Sequence, residues 1–420
     1  MASANLAALI KPRTVILLLA LASLAAKLYC AATTIGTSDV AFFYQYARSI
    51  HAHGLIAMYQ ETSFFNHTPL VGWFSEGVFA LTGGDRQRFA LFLRLPAILS
   101  DVGAVLLVLW LREKTGRPAW WAIALFAASP VAFMVSGYHG NVDSVMTFTL
   151  LLAAVACVIE RPAPCGIAFG LSCNLKVASL VLAPVFFFFW WKRARSLKFS
   201  GSTALCILAG WGVPLMLIPQ LFLKDVLGYG SVWGVWGVTY LLRMSGIHAL
   251  TEITVLEPTV QQAAVILALK GMIVASVIVI SWRRRAVEPF KIFETLSLAW
   301  AVFFVFAPGF GSQYLVWIAP FFLIASESWY AAITISSSIA LFVFYNAISN
   351  GMPWFTGFTV HSIANQWAPW LLLPWVVLVA FLARPESLRQ AWGSIRIAPS
   401  QARLKEKTAD YADVADKSPL

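Results

Sequence analysis

The sequence predicts an all-α membrane protein of about twelve transmembrane helices, with interfacial helices in its first outer loop. Three observations carry that prediction. The chain is 60% hydrophobic and only 12% charged, with a mean hydropathy of +0.76, which no water-soluble domain approaches. Apolar runs close to the roughly 20 residues needed to cross the hydrocarbon recur along it. The net charge of +11 gathers at the ends of those runs, where it marks topology and not a nucleic-acid-binding face.

The first run, Thr14 to Ala32, follows Lys11 and Arg13. It lacks a small-residue cleavage pattern and is followed by further spans, so it reads as a retained signal anchor. A polar and aromatic insert, Ile35 to Leu81, comes next. Within it Phe42, Phe43, Tyr46 and Ile50 recur at helical spacing. Pro69 to Leu81 is apolar but short and carries Glu76, which suits a reclining helix.

Further spans are expected at Arg94 to Leu111, Trp120 to Ser136, Asp143 to Ile159 and Cys165 to Asn174. The last is short and pairs with Val177 to Trp191, as in a helix interrupted beside a cavity. Thr203 to Phe222, Val260 to Trp282, Phe293 to Phe306, Tyr314 to Ala325, Ala331 to Ala347 and Trp367 to Ala383 complete the set. The chain divides into a membrane domain, 1–384, and a polar tail, 385–420. Five cysteines (Cys30, Cys157, Cys165, Cys173, Cys206) fall in or beside apolar runs with no CxxC pair, as buried small hydrophobes do.

Lys11 and Arg13, Arg112 to Arg117, Lys192 to Lys198 and Arg283 to Lys291 fall on one side, cytoplasmic by the positive-inside rule. The opposite, outer side then receives the first loop (35–93), the turn around Asp143, a long loop (223–258), Pro308 to Gln313, and Asn350 to Gln366.

Candidate site residues are the polar groups of that outer side. Asp39 stands alone among apolar neighbours; it suits a general base accepting a hydroxyl proton, with helix capping as the plain alternative. His139, Asn141 and Asp143 cluster in SerGlyTyrHisGlyAsnValAspSer (136–144), where an acid at a membrane boundary is costly unless it faces a cavity or a partner. Lys176 lies at the break between two short runs, and Arg243 lies beside Trp233, Trp236 and Tyr240. Both could neutralise a phosphate leaving group. Arg94 is a third such cation, with a buried pair to Asp101 as its alternative. The aromatic residues of 229–240 suit a sugar face or an interfacial belt. Gln313, in the glycine-rich turn ProGlyPheGlySerGlnTyr (308–314), could reach a polar ligand. AsnHisThr (66–68) is a weak glycosylation signal.

These motifs together resemble the GT-C superfamily of integral-membrane glycosyltransferases, which use polyprenyl-phosphate-linked sugars. The stretches 136–144 and 174–184 are similar to the dolichyl-phosphate-glucose-dependent transferases of N-glycan assembly and their bacterial relatives. ProGlyPheGlySerGlnTyrLeuValTrp (308–317) looks like the late hairpin of the bacterial members. The resemblance implies that Asp39 deprotonates the acceptor and that Lys176 lines the donor side. His67 occupies a place where relatives often carry an acid or an aromatic residue, and it joins the substrate-binding candidates. Many relatives have paired acids in the first loop, whereas Asp39 is single, so no metal or other cofactor is required.

The expected function is inverting transfer of a sugar to an acceptor hydroxyl, on the extracytoplasmic face of a bacterial inner membrane. The partners are membrane lipid, a polyprenyl-phosphate sugar and a glycan or lipid acceptor. The competing readings are a transporter or lipid flippase, toward which Lys270 inside a span leans, and a non-catalytic scaffold subunit.

Overall fold

The computed structural model of the protein describes residues 11–255, 257–349 and 364–384. The protein is all-α and membrane-spanning. Among the described residues eight helices are long and apolar enough to cross a bilayer: Pro12–Thr33, Arg86–Thr115, Trp120–His139, Ser196–Leu217, Val260–Arg283, Pro289–Phe306, Glu327–Ser349 and Ala364–Ala383. Four shorter apolar helices accompany them, at Pro69–Leu81, Asp143–Val158, Val177–Trp191 and Ser312–Ala325. Much of the expected outer segment Asn350 to Gln366, and all of the tail, lie outside the described residues.

The first membrane helix, α1, covers Pro12–Thr33, with proline in its first turn where the missing N–H costs nothing. The insert then folds as three helices: α2 (Ser38–His53), α3 (Leu55–Glu61) and α4 (Pro69–Leu81). At 1.5 Å per residue α4 is only about 20 Å long, too short for the hydrocarbon core. Gly72 lets it close onto α2 and α3, since a side chain there would strike Leu55, Phe65 and Ile50.

The second span, α5, runs Arg86–Thr115, beginning eight residues earlier than the sequence suggests. Asp85 caps it by accepting from the Arg88 amide (2.8 Å). Arg94 is therefore inside a helix and not at its start. The next span is interrupted. After Trp120–Ala127 and a short turn, Phe133–His139 winds as a π-helix, the wider turn that recurs at functional sites.

The helix pair Pro162–Leu175 and Ser196–Leu217 meets through small residues: a side chain at Gly166 would overlap Ser202, and one at Gly170 would overlap Cys206. Such GxxxG spacing is how membrane helices approach closely without a hydrophobic driving force. Outward faces keep Leu18, Leu205, Leu267, Ile335 and Phe342 exposed, as a lipid-facing surface requires.

Direction alternates along the chain, which separates two ends of the bundle. At one end Arg13 pairs with Glu113 (2.6 Å), joining the start of α1 to the end of α5. Ala119 donates its amide to Glu327 (2.6 Å) there, and Arg193 donates to the carbonyl of Val287 (2.8 Å). The polar termini at the other end, from α2, the π-helix, and the breaks at 140–143, 176 and 307–312, converge on the site described next.

Candidate active site

Asp39 lies in the first turn of α2, where the helix dipole favours a carboxylate. It does not cap: Thr37 holds the N-cap position, and the Asp39 side chain turns to tertiary partners. His139 Nε2 lies 3.0 Å from Oδ2, and the Asn141 amide donates to the same oxygen at 2.8 Å. The other oxygen, Oδ1, has no protein partner among the described residues, and the side chain keeps 31% exposure. Two glycines make this convergence possible. Gly36 (φ +92°) and Gly140 (φ +84°) adopt left-handed backbone, and a side chain at either would strike Val40, with Tyr138 O also in the way at Gly36. Burial pushes the Asp39 carboxyl upward, but the charge and hydrogen bond of His139, the Asn141 amide and the charge of Lys176 outweigh it and hold the group at about 2.

His139 is itself fixed on three sides. Its Nδ1 meets the Tyr345 hydroxyl at 2.9 Å, its Nε2 meets Asp39, and its carbonyl accepts from Thr37 Oγ1 at 2.8 Å. Asn141 accepts through Oδ1 from the Val142 amide (2.7 Å), leaving its NH2 aimed at Asp39. Both were expected to orient a sugar. The structure instead spends them on the acid, because each side chain is buried against it.

Asp143 is corrected in the same sense. Its side chain is 0% exposed and bonds Lys176 Nζ (2.7 Å) and Trp317 Nε1 (2.5 Å) through one oxygen. It is enclosed and so aims Lys176 in place of touching substrate. Lys176 follows the end of the helix Pro162–Leu175. Asn174, two residues earlier, donates to Cys206 O (2.9 Å), and Thr68 Oγ1 donates to the carbonyl of Asn174. These bonds end the helix and free Lys176 to lie over the Tyr314 and Trp317 rings, at 4.6 and 5.2 Å from their centroids. Such faces hold a cation without neutralising it. The charge reaches both Asp39 and His67.

His67 precedes α4, with its ring 4.7 Å from that of Phe43, one turn beyond Asp39. Its carbonyl accepts from the Tyr59 hydroxyl at 2.6 Å. Burial first, and then Lys176, lower its imidazole to about 4 against the opposing pull of Asp39. A neutral imidazole with one donor and one acceptor therefore lies within reach of the charges of both the acid and the lysine.

Arg94 takes no part in ligand contact. It is 0% exposed, and its guanidinium is used up by the carbonyls of Ala90, Ala31, Thr34, Gly137 and Tyr138 and the Thr34 hydroxyl. Nor does it pair with Asp101, whose partner is Lys27 (2.6 Å). Arg243 donates to Asn365 Oδ1 (2.9 Å) beside Tyr240, while its Nε and Nη2 have no partner among the described residues although the residue is 8% exposed. Its helix is tied to the 308–314 turn through Trp236, which stacks on Phe310 at 3.9 Å. Gln313 folds its amide over Gly311, where a Cβ would collide with it.

Trp233 and Trp236 are neither belt nor sugar platform. Both are buried, bonding Leu250 O (3.3 Å) and Phe304 O (2.6 Å).

Several site residues carry little sequence signal. Tyr345 comes from an apolar run in which nothing marks it, and Trp317 closes the 308–317 stretch, where nothing in the sequence shows that it would meet Asp143. Tyr229 reaches the site from the long loop, its phenol pushed up by burial and by neighbouring Tyr314 and Asp39. Lys27 is different: a lysine within the first apolar run is itself a signal of a buried partner. Lys270, the residue that leaned toward transport, donates instead to the carbonyls of Gly228 (3.1 Å) and Tyr229 (3.4 Å).

The assembled chemistry is a carboxylate with one oxygen held and one open, a neutral imidazole beside it, and a cation on an aromatic shelf. Residues 65–226 match the ALG6, ALG8 glycosyltransferase family. The match takes in His67, Arg94, the 136–144 turn and Lys176, and stops short of Asp39, Arg243 and Gln313. No curated protein matches the chain.

Proposed function

Starting from a membrane glycosyltransferase of the GT-C type, we propose that it transfers a sugar from a polyprenyl-phosphate donor to an acceptor hydroxyl with inversion. The face used is the extracytoplasmic side of a bacterial inner membrane, opposite the basic clusters. The observation that carries this reading is the asymmetry of Asp39: two donors on Oδ2, none on Oδ1 among the described residues, and Lys176 within electrostatic range.

In the reaction the acceptor oxygen attacks the anomeric carbon from the side opposite the phosphate. The bond from that carbon to the phosphate oxygen breaks, and its electron pair leaves with the polyprenyl phosphate. The acceptor proton passes to Asp39 Oδ1. A carboxyl near 2 is a weak base toward a resting alcohol. The alcohol becomes acidic only as its oxygen bonds to an oxocarbenium-like centre, so late transfer suffices. The leaving phosphate needs charge and not a proton, which Lys176 supplies, with Arg243 as the second cation. His67 hydrogen-bonds the incoming acceptor, and Gln313 borders the donor side. The acceptor is a glycan or a lipid.

The test uses purified protein with polyprenyl-phosphate sugars and candidate acceptors, following release of free polyprenyl phosphate. Asp39→Asn keeps the shape and both Oδ2-type contacts, so turnover is expected to fall about 100-fold or more with the folded yield unchanged. Near-wild-type turnover in that variant would falsify the base assignment.

A further inference from the structure

The π-helix Phe133–His139 presents a physical problem that neighbouring charges solve. Its last carbonyls have no intrahelical partner because the helix stops at His139, and the segment lies buried where water cannot help. Four successive residues are nevertheless each fixed from outside. Ser136 donates its hydroxyl to Asp101 of α5. The carbonyls of Gly137 and Tyr138 accept from Arg94, two turns earlier on the same helix, at 3.0 and 3.3 Å. The carbonyl of His139 accepts from Thr37. Lys27 of α1 completes the set by pairing with Asp101, and it lies so close to Gly137 that a side chain there would touch its Cα and Cβ at 3.3 Å.

We propose that Arg94, Asp101 and Ser136, with Lys27 as counter-charge, are positioning residues. They clamp the π-helix so that His139 and Asn141 meet Asp39 at one oxygen and leave the other for the acceptor. Arg94 does this twice over, because the same guanidinium also holds the carbonyls of Ala31 and Thr34, from which the chain runs to Asp39. One side chain thus fixes the strands of backbone that carry both the acid and its partner. The inference rests on Asp39 being the base, and the experiment separates the two.

The informative variants are Ser136→Ala, His139→Ala, their combination, and Asp39→Asn. Turnover and acceptor KM are measured from pH 7.5 down to 4, with thermal midpoints in detergent. Around Asp39 the titratable or charged groups are His139, Lys176, His67 and the phenols of Tyr46, Tyr229, Tyr314 and Tyr345. Of these only the His139 contact depends on the clamp.

Ser136→Ala is expected to lose about 10- to 100-fold in kcat with acceptor KM within about twofold. Its acid limb should lie at higher pH than that of the intact protein, where within this window only His67, at about 4, titrates, since burial then dominates the carboxyl. Added to His139→Ala it should cost nothing further, because both act through one contact. Arg94→Lys, which can reach fewer carbonyls, should give the same raised acid limb and serves if Ser136→Ala is too unstable to assay. An unmoved pH profile, or additive losses in the double variant, overturns the clamp while leaving the base intact. Retained turnover in Asp39→Asn instead overturns the reading beneath it.

Discussion

His67 illustrates how a single side chain at this site ties pH to stability. Its imidazole titrates near 6.5 when free and at about 4 in the folded protein, so the unfolded chain binds the extra proton first. Folding is therefore unaffected above 6.5 and loses stability as pH falls from there toward 4. At pH 5 the loss is about 2 kcal/mol. His67→Gln removes that titration, so its thermal midpoint should drop less than the wild type's between pH 7 and 5. Asp39 runs the other way. Its depressed carboxyl contributes stability above the ordinary carboxylate range, lost only as pH falls through about 2. For that reason acid inactivation between pH 7 and 4 is expected to leave Asp39, the proposed base, ionised, and a kcat/KM profile free of a carboxylate limb in that window would bear this out.

At the scale of elements, the breaks between helices set out the side chains of the candidate site. The interrupted span around 128–139 ends in His139, and the break after Leu175 sets out Lys176. Both breaks are stabilised by groups from other helices. The pair Lys176–Asp143 joins the 176 break to the start of the helix Asp143–Val158, with the acid fully enclosed. Removing one partner of such a buried pair costs about 3–5 kcal/mol, because the other charge is stranded. Asp143→Asn should accordingly lower the thermal midpoint sharply. Combining it with Lys176→Met should recover much of the stability but not the turnover, which separates the structural part of the pair from the cationic part. A double variant as unstable as the single one would show that the damage lies elsewhere.

Taken as a whole molecule, the bundle has a basic end and an end that carries the candidate site. An impermeant thiol reagent can tell which side each faces. Ser63→Cys lies in the exposed turn between α3 and α4, and Lys114→Cys lies at the exposed end of α5. In intact cells Ser63→Cys should label at once, while Lys114→Cys should label only after permeabilisation. The reverse pattern would place the site on the cytoplasmic side.

The sequence by itself determined the membrane class, the helical insert after the first span and the two ends of the bundle, and it singled out Asp39, Lys176 and the 136–144 turn as candidates. Hydrophobic run length and charge placement are properties of local sequence, and lipid imposes them before any tertiary contact forms. What each polar residue does was decided only by the tertiary structure. His139, Asn141, Asp143 and Arg94 all looked like ligand contacts, because a polar group in an apolar chain must have a partner. Sequence cannot say whether that partner is a substrate or another side chain. Here residues 33 to 102 positions apart satisfy one another: His139 and Asn141 serve Asp39, Asp143 serves Lys176, and Arg94 serves the backbone of the turn. Desolvation makes every such group costly until it is paired. Only the folded geometry shows which partner each group takes, and that among the described residues the half-buried Asp39 keeps one oxygen, Oδ1, free of protein donors.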